Sequence, residues 1–106
     1  MNRFFVLCIA IVFTACTPAS NDSLAEQGSA YQMTQSFEAL QYVVYNLPEG
    51  SDTSFVKAIL GEPIDMGFDY RYLVDSIGPD GCVMGAVFHI DDRGMIDQKW
   101  TGEICE

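Results

Sequence analysis

Cys82, Cys105, His89 and the acidic pair Asp91 and Asp92 are the side chains best suited to chemistry in the distal part of this 106-residue chain. In an exported protein, two cysteines so placed are expected to form a disulfide. Closing a loop of about 24 residues would stabilise the fold by roughly 3 kcal/mol through lost unfolded-state entropy. The alternative is two buried thiols. Metal binding by the pair is not expected, because the chain has a single histidine and no C-x-x-C spacing. A catalytic His89 would need a nucleophile and an orienting acid, and the isolated serines supply no such motif. His89 therefore reads as a surface or structural residue with Asp91 as its hydrogen-bond acceptor. Asp91 and Asp92, with Asp80, offer oxygen ligands but lack calcium-loop spacing, so solvation in turns accounts for them. No catalytic residue, metal or cofactor is expected, and the chain does not read as an enzyme. Tyr42, Tyr45, Tyr70, Tyr72 and Trp100 are rigid rings with a polar tip, suited to protein contacts as well as to a core. Tyr70, Tyr72 and Trp100 are the candidate partner-binding residues.

A different chemistry belongs to Cys16. Residues 1–3 carry one positive charge, residues 4–13 (FFVLCIAIVF) are an unbroken apolar run, and Thr14 and Ala15 are small. This is a secretory signal pattern. As a helix the run would be about 15 Å long, half the hydrocarbon thickness of a bilayer, so it targets rather than spans. Phe13-Thr14-Ala15-Cys16 resembles the bacterial lipobox, with Phe13 in place of the usual leucine. The resemblance implies removal of residues 1–15 and acylation of Cys16, each buried methylene contributing about 0.8 kcal/mol to membrane anchoring. In lipoproteins of Gram-negative bacteria a residue other than aspartate after the lipidated cysteine, here Thr17, implies onward transport to the outer membrane; the expected location is the cell envelope, lipid-anchored and facing the periplasm. The alternative is an ordinary signal peptide cut after Ala15, leaving Cys16 a thiol.

Residues 17–30 (TPASNDSLAEQGSA) are small and polar without an apolar period, so 16–33 read as the lipidated cysteine and a flexible tether. From Thr34 the pattern is helical: Phe37, Leu40, Val44 and Leu47 recur at spacings of three and four, ending near Asn46 before Pro48 and Gly50. Asp52 caps a second helix over residues 53–60, Gly61 stops it and Pro63 prevents its continuation. The period then becomes two. Tyr70, Tyr72 and Val74 share one face of a first strand, and Cys82, Met84, Ala86, Phe88 and Ile90 one face of a second. Ile96, Trp100 and Ile104 share a face of a third, with Asp97, Lys99, Thr101 and Glu103 pointing away. Gly78-Pro79-Asp80-Gly81 and Asp91-Asp92-Arg93-Gly94 are turns. Residues 34–106 are thus expected to form one α+β domain of order ααβββ, two short helices covering a three-stranded antiparallel sheet. On a regular third strand Cys105 falls on the face opposite Ile104, so a β-bulge or terminal turn must bring it to Cys82.

Composition narrows the partners. Fifteen acidic and five basic residues give a net charge of −10. Lys57, Arg71, Arg93 and Lys99 are scattered, which argues against nucleic acid. No small-molecule substrate is evident.

The segment Gly50-Ser51-Asp52-Thr53-Ser54-Phe55-Val56-Lys57-Ala58-Ile59-Leu60-Gly61-Glu62-Pro63 resembles the SmpA/OmlA (BamE-like) lipoprotein family. Gly50, Asp52, Val56, Ile59, Leu60, Gly61 and Pro63 match its pattern in register, while Ser51 stands where a hydrophobic residue is usual. Tyr70, Tyr72, Phe88-His89-Ile90-Asp91 and Gly94 continue the likeness to about Trp100. The resemblance implies the family's ααβββ architecture, shared with the repeat of beta-lactamase inhibitor proteins. It also implies a noncatalytic outer-membrane lipoprotein that contacts envelope proteins and supports membrane integrity or assembly. The acidic, aromatic sheet leaves a second reading, an inhibitor or immunity-type lipoprotein that blocks a hydrolase or toxin.

Overall fold

The computed structural model describes residues 21–105, so the expected signal segment and Cys16 lie outside the described residues. Three helices, α1 (Asn21–Thr34), α2 (Phe37–Asn46) and α3 (Thr53–Leu60), precede four strands, β1 (Ile64–Asp65), β2 (Asp69–Ile77), β3 (Val83–Ile90) and β4 (Ile96–Ile104). The strands form an antiparallel sheet in the order β1-β2-β3-β4, and the helices lie on one of its faces. The architecture is α+β, with one helix and one short strand more than the sequence pattern suggests.

The additional helix corrects the expectation of a tether over residues 21–33. Leu24, Gly28 and Tyr31 form a single buried stripe along α1. Gly28 lets the α1 backbone approach α3 closely, because a Cβ there would collide with the carbonyl oxygen of Ile59. Two long-range hydrogen bonds hold the helix down, from Tyr31 Oη to the carbonyl of Leu73 (2.7 Å) and from Gln32 Nε2 to the carbonyl of Ile59 (3.1 Å). Gln35 then adopts a left-handed conformation (φ 55°), its N–H bonding to the carbonyl of Tyr31. That residue ends α1. Ser36 caps α2 by accepting from the Ala39 N–H, which is why α2 starts at Phe37 and not at Thr34.

α3 follows the expected rules. Asp52 Oδ1 accepts from the Phe55 N–H at 2.9 Å, and Gly61 ends the helix at φ 88°, a conformation disfavoured for residues with a Cβ. Tyr72 Oη donates to the Gly61 carbonyl at 2.8 Å, tying the end of α3 to the sheet. The core is built by Leu40, Val43 and Val44 of α2, Val56, Ile59 and Leu60 of α3, and Tyr70, Tyr72, Ala86, Phe88 and Ile96 of the sheet. Tyr72 stands edge-on to both Tyr31 and Phe88, with centroids 6.1 and 5.7 Å away. Burying Phe88 alone contributes about 1.5–3 kcal/mol.

β4 departs from the regular strand expected. Ile96 pairs with Ile90, but Gln98 pairs with His89, so Asp97 is an extra residue in a β-bulge. Beyond it every side chain changes face. Lys99, Thr101 and Glu103 stand opposite Phe88, Ala86 and Met84 on the helix-covered side, whereas Trp100 and Ile104 stand opposite Val87 and Val83 on the other. Ile96 therefore does not share a face with Trp100 and Ile104. The same insertion resolves the cysteine parity: Cys82 and Cys105 form a disulfide with a Cα–Cα distance of 5.2 Å.

Candidate functional site

Among the described residues no helix covers the second face of the sheet. It is built from the alternate positions of three strands. Arg71 and Leu73 of β2, Val83, Val87 and His89 of β3, and Gln98, Trp100 and Ile104 of β4 are in register across it. Ile64 of β1, paired with Arg71, extends it at one edge. Val87 and Ile104 are nonetheless buried. Trp100 remains 44% exposed. The result is a shallow recess of about 480 Å³, with Val87 as its floor and Trp100, Arg71, Asp69 and His89 around it.

Polar groups on this face are held in place. The Asp69 carboxylate is buried and pairs with Arg71 Nε at 3.2 Å. His89 Nδ1 meets Asp97 Oδ1 at 2.7 Å, both side chains about half exposed. The partner of His89 is thus the bulged residue of β4 and not Asp91, as expected from sequence. Asp91 works in the β3–β4 turn, where its Oδ1 accepts from the N–H groups of Arg93 (2.9 Å) and Met95 (3.0 Å). These bonds, the Met95 one foremost, hold its carboxyl below the usual aspartate range. Asp92 is exposed in the same turn.

Of the three candidate partner-binding rings, only Trp100 lies on this face. Tyr70 and Tyr72, 6% and 3% exposed, point into the core beneath the helices, so neither offers its ring to a partner. Their alternation with Arg71 placed them on one face, and the helices claimed that face. Burial, reinforced by Tyr70, Glu62 and Tyr31 nearby, raises the Tyr72 phenol well above its ordinary range and keeps it a hydrogen-bond donor. Val87 and Arg71 are not singled out for this site in the sequence reading, although Ile104 is placed there on the face of Trp100. The alternation Leu73, Val83, Val87 carries that signal, a second apolar set out of phase with the core set.

At the far end of the sheet Cys82, Glu103 and Cys105 bring their sulfur and oxygen atoms together. The two sulfurs are bonded to each other, and Glu103 Oε2 accepts from the N–H groups of Asp80 (2.8 Å) and Cys82 (3.1 Å). This cluster clamps the β2–β3 turn and presents no thiolate to a metal. Lys99, on the helix side, reaches the carbonyl oxygen of Val44 in α2 at 2.6 Å.

Comparison with known proteins finds no matching family model, no similar curated protein and no similar solved structure.

Proposed function

We propose that this chain is a noncatalytic envelope lipoprotein of the SmpA/OmlA kind, anchored by acylation of Cys16 to the periplasmic side of the outer membrane. Its small domain binds envelope proteins through the bare face of its sheet. The observation that carries this reading is that face itself: a recess floored by Val87, a half-exposed Trp100 above it, an Asp69–Arg71 ion pair and a His89–Asp97 contact held in place. Such a patch, apolar at its centre and polar at its rim, has the anatomy of a protein interface. The export pattern and lipobox-like segment at residues 1–16 support the location. The capped helix, Gly61 stop and Pro63 turn into the sheet support the family likeness, and the finer BamE-like architecture is part of the proposal.

Mass spectrometry of the N-terminal peptide, joined to affinity capture from native membranes, tests it. Acyl mass on Cys16, loss of membrane association in Cys16→Ser and loss of captured partners in Trp100→Ala are the expected results. An unmodified thiol on a freely soluble chain, or the same partners and the same membrane fraction for Cys16→Ser, would sink the proposal.

A further inference from the structure

β4 is the edge of the sheet, and its exposed side is only partly protected. At its start the chain covers itself: the Ile96 N–H donates to the Ser51 carbonyl at 2.8 Å, the Thr53 N–H to that of Gly94, and Asp52 bridges to Met95. The Asp97 bulge follows. Among the described residues, the strand from residue 98 to residue 104 is paired with β3 alone. An unprotected edge is a template for another strand.

The side chains along that run are complementary to themselves. We propose that the edge of β4 is a homodimer interface, in which two copies pair antiparallel about a two-fold axis through Thr101. With the helices of both copies on the same side, facing residues must share a face, which restricts the possible registers. Centring on Thr101 places Lys99 of each copy opposite Glu103 of the other, giving two opposite-charge cross-strand pairs. It also places each Trp100 opposite the other copy's Gly102. A Cβ at Gly102 would meet nothing closer than the Trp100 ring, at 3.8 Å, so no side chain separates the two indoles beside the axis. An aromatic ring set against a glycine on the adjoining strand is a stabilising pairing. A register centred on Trp100 or Gly102 instead removes the Lys99–Glu103 match. Within each copy Glu103 Oε2 accepts from the Asp80 and Cys82 amides and Lys99 donates to Val44, so the cross-copy pairs draw on Glu103 Oε1 and the remaining Lys99 donors. Association of this kind does not rest on the anchoring or partner-binding reading above, although Trp100 belongs to both surfaces, and it would join two four-stranded sheets into one.

The test uses the full chain as cells deliver it, in non-ionic detergent and at about 0.15 M salt, where a Debye length of about 8 Å screens the repulsion between two acidic chains. Analytical ultracentrifugation is expected to show a monomer–dimer equilibrium, with a blue shift of the single tryptophan's emission on association. Thr101→Cys should cross-link into covalent dimers, because directly opposed Cα atoms about 4.5–5.5 Å apart suit a disulfide, while Gln98→Cys should not. Lys99→Glu should weaken the dimer about tenfold by facing two acids in each pair. Adding Glu103→Lys to that variant should restore it. A monomer at all concentrations, a dimer that Thr101→Cys fails to cross-link, or one indifferent to Lys99→Glu would each overturn the proposal. Should the double variant misfold through loss of the Glu103 clamp, the Thr101→Cys result decides alone.

Discussion

Gly28 of α1 packs so tightly on Ile59 of α3 that a Cβ at position 28 would overlap the Ile59 carbonyl oxygen and stand 2.7 Å from its Cγ2. In an exposed helix, replacing glycine by alanine stabilises by about 0.5–1 kcal/mol. Here the contact reverses the sign, since the obstacle is partly backbone and an overpacked site costs about 1–3 kcal/mol. Gly28→Ala is therefore expected to be net destabilising by about 1–2 kcal/mol in urea denaturation. It should also open residues 21–34 to limited proteolysis while leaving the sheet resistant. Unchanged protection of that segment would show that α1 is not docked through Gly28.

Tyr72→Phe removes the hydrogen bond to the Gly61 carbonyl but keeps the ring between Tyr31 and Phe88. A loss of about 1 kcal/mol at neutral pH is expected. The native phenol's raised pKa means its contribution is complete below about pH 10, where the unfolded phenol titrates, and falls as pH rises beyond. The gap between Tyr72→Phe and the native chain should therefore narrow in alkaline denaturation curves.

Asp91 acts in the opposite direction. Its folded carboxyl is held low by the Met95 and Arg93 amides, so its contribution is complete above about pH 4 and is lost as pH falls through the lowered folded value. Asp91→Ala should be less stable than the native chain at pH 7, and the difference should shrink toward pH 2. Equal acid sensitivity of the two proteins would show that the turn does not depend on the ionised group.

Reducing the Cys82–Cys105 bond, or replacing both residues by serine, should cost about 3 kcal/mol, the entropy of opening a loop with a sequence separation of 23. Glu103 still bonds to the Asp80 and Cys82 amides in such a variant, so the β2–β3 turn should persist, visible as retained amide protection at those two positions.

Local rules made α3 and the turns legible. Asp52, Gly61 and Gly94 act on their immediate neighbours, and each does in the structure what its type implies. α1 was not legible because its buried stripe contains a glycine. Gly28 has no apolar signal of its own, and its value lies in closeness to Ile59, a residue far along the chain. The face of Trp100 was misjudged for a related reason. Ile96 and Ile104 are both buried and eight positions apart, which on a regular strand means one face; they lie on opposite faces because Asp97 is inserted between them. Tyr70 and Tyr72 were recognisable as one face of β2, but which face the helices would cover depends on tertiary packing.

Asp97 also makes the last strand a ribbon with its phase shifted by one residue. Removing it would return Trp100 and Ile104 beneath the helices and expel Lys99 and Glu103, turning the strand inside out without altering any other residue type. A one-codon deletion there would be a change of surface identity, more far-reaching than any single replacement in the same strand.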